Sequence, residues 1–320
     1  MSPHRLLRNL GATFARLAPI AFAVLALVVL EHSAGPETPA VTEAGAAPAG
    51  HRLILFWVDS LALADMDPAS PRMARLKARL PTGLHGPARQ CADAVSVPCF
   101  TAMATGIDHF SLFSLAKNFG GVGRLPQGNV FQALQARGRT VGFIGDIMAK
   151  KAVEGFDWVE VPPTLDDGYT IPRALAQFDA LKLDVVVVHI RETDVTTHTH
   201  GPDSPEYEAA LEQADRLIDE AFRRYGPEVH IAVFGDHGHT DDGRHFAGLD
   251  VPTYASFFGP TFARRAQQPM VVTDYGALWA RVFGLKFADG GWVPDYFAGR
   301  PLPQVDGLPD APGGGSAPPL

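Results

Sequence analysis

The chain is short of positive charge. Its 320 residues carry 27 Lys and Arg against 35 Asp and Glu, a net charge of −8. Residues 1–31 hold Arg5, Arg8 and Arg16 against one acid, Glu31, so the remainder stands at −10. A body of that sign has no electrostatic footprint for a nucleic-acid polymer. An anionic small-molecule substrate would need a local reversal of the field. Charged residues are sparse altogether, at 19%, while 46% are hydrophobic, which excludes global disorder and leaves material for a sizeable core. Cysteine is scarcer still. Cys91 and Cys99 are the two present. In an oxidising compartment an even count favours a bridge over two buried thiols. No internal repeat is visible. The length suits one large domain or two small ones.

What is present first is a targeting segment. Basic residues precede an apolar run over 17–30, and the chain turns polar at Glu31. The run is short of the ~20 residues of a membrane span, although counting from Leu10 reaches that length with Arg16 inside. Residues 1–32 are therefore expected to be a signal peptide or an N-terminal membrane anchor. An anchor is preferred because no small-x-small cleavage site follows directly. Either places the body outside the cytoplasm, in a periplasmic or similar space. Residues 33–50 read as a flexible linker, 51–300 as the folded domain and 301–320, rich in Pro and Gly, as a disordered tail.

Five short apolar runs, 53–58, 140–145, 184–190, 229–235 and 254–258, read as buried strands. Helical patterns lie between them, over 129–137, 171–183 and 204–225. The last begins with Ser204 as a natural N-cap and Pro205 at the first helical position. Alternating strands and helices predict an α/β fold with a mainly parallel central sheet sandwiched by helices. In such sheets, ligands bind at the carboxyl ends of the strands. Asp59 follows the first strand, Asp194 lies four residues past the third, and Asp236 and His237 follow the fourth.

The stretch "GDHGHTDDGRHFAG", residues 235–248, holds three histidines and three aspartates. A solvated turn has no need of three imidazoles. In "DVTTHTHGP", Asp194 and His198 are spaced i, i+4, which puts both on one face of a helical turn. With His245 they can make one mixed oxygen and nitrogen metal site; Asp59, Asp236 and His237 can make a second. His200, His230 and His239 read as bystanders. Three gathered carboxylates would repel unless cations joined them. Two divalent ions balance three carboxylates and one alkoxide, so cations rather than surface lysines would attract an anionic ester. The candidate nucleophile is Ser96 in "SVPCFTAMATG", where Pro98 would open a helix and set the serine at or just before its N-terminus. Locally, Ser96 reads better as a plain N-cap than as a nucleophile.

Taken together, these motifs resemble the alkaline phosphatase superfamily over roughly residues 53–259. They are similar to its nucleotide pyrophosphatase/phosphodiesterase branch, and among that branch to the catalytic domains of GPI-anchor ethanolamine phosphate transferases. "FWVDS" matches the aspartate after the first strand, and Ser96, Pro98 and Thr105-Gly106 match the spacing around the nucleophile. The resemblance implies an alkaline-phosphatase-like fold. It implies one zinc site at Asp194, His198 and His245, and another at Asp59, Ser96, Asp236 and His237. Asn118 falls near a phosphate-binding asparagine of that branch, an oxyanion donor. The implied activity is phosphodiesterase or phosphatase hydrolysis through a phosphoserine at two divalent ions, Zn²⁺ or alternatively Mn²⁺. The substrate would be a phosphate ester, a small molecule or a lipid or glycan head group. A phosphoethanolamine-type transferase, a sulfatase and a non-catalytic metal-binding member are the alternatives. The sulfatase departs furthest: Phe100 stands where that branch keeps an arginine, and His237 is unlike its oxygen-only calcium site. The loops over 110–123 and 150–169 are where specificity is expected.

Overall fold

A computed structural model describes residues 41–43, 50–107, 129–146 and 153–287, except 247, 263, 267 and 268. The expected leader over 1–32, most of the linker, Asn118 and the tail over 301–320 lie outside the described residues. Inside the stretch expected to be a linker, β1 (Val41–Glu43) is a short strand paired antiparallel with β11 (Leu285–Phe287). Among the described residues, no helix is long and apolar enough to cross a membrane.

The centre of the fold is a nine-stranded sheet. Five neighbouring strands run parallel, in the order β7 (His230–Phe234), β2 (Leu53–Val58), β6 (Val185–Ile190), β4 (Val141–Ile144) and β5 (Trp158–Glu160). β8 (Thr253–Phe258) joins β7 antiparallel, and β3 (Leu84–Arg89) pairs antiparallel with β8. Two-residue strands, β9 (Arg265–Ala266) and β10 (Met270–Val271), finish the β3 edge. The mainly parallel sheet expected from the alternation is present. All five expected strands are there within a residue or two.

β2 explains why the sheet must be covered twice. Its six residues are all buried. Leu53, Leu55 and Trp57 point into one core with α2 (Ser96–Thr105), α3 (Val130–Gln135) and α7 (Asp274–Val282). Ile54, Phe56 and Val58 point into a second core with α4 (Asp167–Ala180) and α6 (Pro205–Tyr225). Period-two alternation with no polar face is the signature of a strand sandwiched between helical layers. α1 (Ala74–Arg79) packs beside α6, and α5 (Glu192–His200) follows β6 directly.

Three elements depart from the sequence expectation. α4 begins at Asp167 rather than Ile171, because Asp166 accepts from the Gly168 N–H and caps it, with Pro172 in the second turn. β3 contains Gly86 and Pro87, which read as turn residues, yet it pairs along β8 from Leu84 to Ala88. α7 is buried almost all round, so it shows no polar face from which a helical period could be read.

Candidate metal centre

β7, β2 and β6 are adjacent and parallel, so their carboxyl ends bring Asp236, Asp59 and the start of α5 to one edge. "GDHG" follows β7 with two glycines because the chain there runs against its neighbours. A Cβ on Gly235 would lie 2.0 Å from Thr253 Oγ1, and one on Gly238 2.4 Å from the Pro252 carbonyl. Asp59 is followed by Ser60 in a left-handed conformation, φ 65°, and the Ser60 N–H donates to Asp236 Oδ1 at 3.2 Å. That strained turn ties the ends of β2 and β7 together.

Two clusters of ligand-type atoms result. In the first, Asp194 Oδ1 lies 3.5 Å from His198 Nε2 and 3.2 Å from His245 Nε2, and the two Nε2 atoms are 2.7 Å apart. In the second, His237 Nε2 lies 3.5 Å from Asp59 Oδ1 and 3.3 Å from Asp236 Oδ2. The clusters share a wall, because the His237 and His245 rings stack 3.8 Å apart at 14°.

These sets fit divalent cations. Tetrahedral Zn²⁺ with N and O ligands at 2.0–2.1 Å sets ligand atoms about 3.3 Å apart, close to most of the spacings here. His245 Nδ1 is 2.8 Å from the Ala94 carbonyl and His237 Nδ1 is 3.0 Å from the Gly238 carbonyl. Those carbonyls can only accept, so each Nδ1 carries its proton and each Nε2 turns a lone pair into its cluster. Asp194 Oδ1 and Asp236 Oδ2 are buried and make no hydrogen bond. Buried carboxylate oxygens left so are costly unless something else pairs them.

Electrostatics point the same way. Burial, then the Asp236 and Asp194 charges, push the Asp59 carboxyl well above the carboxylate range. Burial also pushes Asp194 up, but the facing His245, His237 and His198 rings outweigh it and hold it at about 2. Burial lowers His237, against the pull of Asp236. His245 is raised: burial opposes this, and its contact with Asp194 prevails. Shifts in both directions among Asp59, Asp194, His237 and His245 mark groups that hold one another's charge in the absence of a cation.

Ser96 is the first residue of α2, one position inside its Val95 N-cap. It is not the cap. Its Oγ donates to Asp59 Oδ1 at 3.2 Å and lies 3.5 Å from His237 Nε2. The hydroxyl therefore faces the second cluster from a helix N-terminus, where developing negative charge is favoured. Cys91 and Cys99 form a disulfide that closes a loop around Ser96. Phe100 is fully buried and stacks on Trp57 at 4.5 Å, so that position faces the core and not the site.

The structure thus brings together Asp59, Ser96, Asp194, His198, Asp236, His237 and His245. The bystander histidines lie elsewhere. His239 Nε2 is 3.0 Å from the Tyr207 hydroxyl, His230 Nε2 is 2.9 Å from Thr261 Oγ1, and His200 is exposed at the end of α5. Sequence reasoning missed His189. It sits inside β6 with Nε2 2.8 Å from Asp59 Oδ2, its ring stacked 3.8 Å from Trp57, its partner in register on β2. Burial lowers its pKa to about 4, so it stays neutral and donates Nε2–H to Asp59. A lone imidazole in the apolar run "VVVVHI" was the available signal. The Thr193 hydroxyl, bonded to the Asp59 carbonyl at 2.6 Å, was the other omission.

Residues 151–246 match the family described as type I phosphodiesterase / nucleotide pyrophosphatase. Over 139 residues, 41% of this chain, the sequence is 30% identical to the catalytic subunit of GPI ethanolamine phosphate transferase 3 from Mus musculus and, equally, from Homo sapiens. The match spans only 13% of those relatives. Among solved structures, the integral membrane lipooligosaccharide phosphoethanolamine transferase A from Neisseria meningitidis superposes with a TM-score of 0.57 at 16% identity, covering 88% of this chain and 66% of that one. Murine ectonucleotide pyrophosphatase/phosphodiesterase 5 gives 0.54 at 12% identity, covering 74% of this chain and 96% of that one. A protein in the alkaline phosphatase superfamily from Vibrio parahaemolyticus gives 0.55 at 16%, covering 78% and 69%. The chain therefore has an alkaline-phosphatase-like fold, shared with these solved structures, and its residues 151–246 are similar to the type I phosphodiesterase / nucleotide pyrophosphatase family.

Proposed function

We propose that this chain is an extracytoplasmic, metal-dependent phosphoric ester hydrolase that works through a phosphoserine on Ser96. The observation that carries this reading is the Ser96 hydroxyl, 3.2 Å from Asp59 Oδ1 and 3.5 Å from His237 Nε2, beside a second Asp/His cluster that shares the stacked His237–His245 wall. Asp59, Asp236 and His237 would hold one divalent ion and Asp194, His198 and His245 another. Bound there, such cations supply the positive charge that draws in an anionic ester, lowers the hydroxyl pKa and offsets charge on attacking and leaving oxygens.

The chain's own groups do the rest. Ser96 loses its proton and attacks phosphorus in line from the helix N-terminus, which stabilises the alkoxide it becomes; the P–O bond to the ester's alcohol breaks opposite it, and that alkoxide leaves as the alcohol after taking up a proton. Asp59 orients that hydroxyl, and His189 and the Ser60 N–H keep Asp59 and Asp236 in place. The disulfide restrains the loop that presents Ser96. Water then cleaves the serine–phosphorus bond, restoring the hydroxyl and releasing phosphate from a monoester or a phosphate monoester from a diester, so one difficult displacement becomes two easier ones. Zn²⁺ suits the mixed N/O sets, with Mn²⁺ the alternative.

The test is metal analysis of the purified chain with aryl phosphate mono- and diester assays. Ser96→Ala should abolish turnover while metal content stays near two per chain; undiminished turnover removes Ser96 from the reaction. A transferase of phosphoethanolamine is the second reading, favoured by the names of the relatives. It predicts that product appears on a lipid or glycan acceptor faster than on water.

A further inference from the structure

Beside the metal clusters lies a cavity of about 190 Å³. It opens at the carboxyl ends of β4 and β6, the same sheet edge as the clusters. His189 is part of its wall and connects it to Asp59, 2.8 Å away. Asp146, Arg191 and Asp167 give its lining polar groups, and the segment 161–165 gives it Val161, two prolines and Leu165. Val161 and Leu165, at its rim, are two of only five large hydrophobic residues exposed among the described ones. Apolar side chains left in water at the mouth of a polar cavity mark a binding surface.

The charges in this lining are already matched. Arg191 Nη1 donates to Asp146 Oδ2 at 2.5 Å. Both Asp167 oxygens accept backbone N–H groups, from Arg191 at 3.4 Å and Glu192 at 3.1 Å, and burial pushes that carboxyl up to about 8, so it carries little charge near neutrality. A cationic head group would meet the Arg191 guanidinium. An anionic one would meet Asp146. A wholly apolar one would strip water from the ion pair without replacing its hydrogen bonds, which costs more than the burial returns. Hydroxyl groups both donate and accept, so they can bridge a guanidinium and a carboxylate held side by side. Arg191 is 39% exposed, and its planar fork offers further N–H donors beyond the one on Asp146. No Phe, Tyr or Trp is among the described residues lining the cavity, so a nucleobase would lack a stacking platform. The volume equals about six waters of liquid, enough for one ring or a glycerol unit.

We propose that this cavity seats a neutral polyol, of glycerol or single-sugar size, as the head group of the phosphate ester, with Arg191 and Asp146 as the residues that select it. The proposal rests on the phosphoester reading above. The prolines and Leu165 cover the carbon skeleton, and the Arg191–Asp146 pair takes the hydroxyls.

The test compares three para-nitrophenyl phosphodiesters on the full, Zn²⁺-loaded chain, carrying glycerol, choline or methyl as the second alcohol. The expected result is a kcat/KM at least about tenfold higher for the glyceryl ester than for either other, expressed mainly in KM. Arg191→Lys keeps the charge but loses the planar fork, and Asp146→Asn keeps the shape; each should bring the glyceryl-to-methyl ratio toward one. Preference for the choline ester, equal rates on all three, or a ratio unmoved by both substitutions overturns the proposal. If no diester is turned over, the hydrolase reading has failed, and the cavity is judged by calorimetry on Ser96→Ala. There, glycerol 3-phosphate should bind about tenfold more tightly than methyl phosphate or phosphocholine, and equal affinities reject the polyol.

Discussion

Replacing His189 with Phe should separate the two metal clusters functionally. Phe keeps an aromatic ring against Trp57, now 3.8 Å from the imidazole, and nearly keeps its volume. It removes the Nε2–H that holds Asp59 Oδ2 at 2.8 Å. A hydrogen bond from a neutral donor to a buried carboxylate contributes about 2 kcal/mol, which is about thirtyfold in an equilibrium constant. Loss of such an outer partner of a metal ligand costs about 10- to 100-fold in affinity. Zn²⁺ titration of the metal-free chain against a chromogenic chelator reads two dissociation constants. The Asp59, Asp236 and His237 site should weaken about thirtyfold. The Asp194, His198 and His245 site should hold its affinity, because no hydrogen bond of His189 reaches it directly. Wild-type affinities at both sites would refute the positioning role of His189. So would an equal loss at both sites accompanied by a large fall in Tm, since that would mark a general packing defect.

Gly145→Ala should reproduce the His189→Phe metal phenotype, because its new Cβ would lie 2.4 Å from His189 Cβ and push the ring off Asp59; a normal Zn²⁺ titration would show that the ring has room. Asp167→Asn should flatten the pH dependence of Tm. Asp167 titrates at about 8 when folded against 3.8 unfolded, so between those values the folded chain binds the proton more tightly and stability falls as pH rises, by at most about 1.4 kcal/mol per pH unit. A wild-type slope in the variant would assign the fall to another group. Replacing both Cys91 and Cys99 with Ser should cost about 2.5 kcal/mol of stability from the loop of eight-residue separation, and should lower kcat beyond the loss of folded protein because Ser96 lies within that loop. Equal kcat per folded molecule would show that the disulfide serves stability alone.

Some of this was legible without coordinates because the signals are local. The run 53–58 is apolar at every position, which only a strand covered on both faces tolerates, and Ser204-Pro205 fixes a helix start by capping chemistry alone. The gathering of the candidate ligand residues was legible because a parallel sheet sends the ends of its strands to one edge, so residues following strands become neighbours whatever the separation in sequence. β3 was hidden because Gly86 and Pro87 imitate a turn, and its pairing depends on a strand some 170 residues later. His189 was hidden because one polar residue inside a strand has the same period as its apolar neighbours; its meaning lies in the facing Asp59 on β2.

By itself, then, the sequence determined the chemical types at the site and the edge of the sheet that carries them, because strand period, capping and turn chemistry are written in neighbouring residues. Tertiary structure decided which atoms face which. It set the Nδ1 bonds that bare the His237 and His245 lone pairs, the 3.8 Å stack that makes two clusters adjoin, and the cavity at the carboxyl ends of β4 and β6. Those depend on register and packing between segments far apart in the chain, where no local rule reaches.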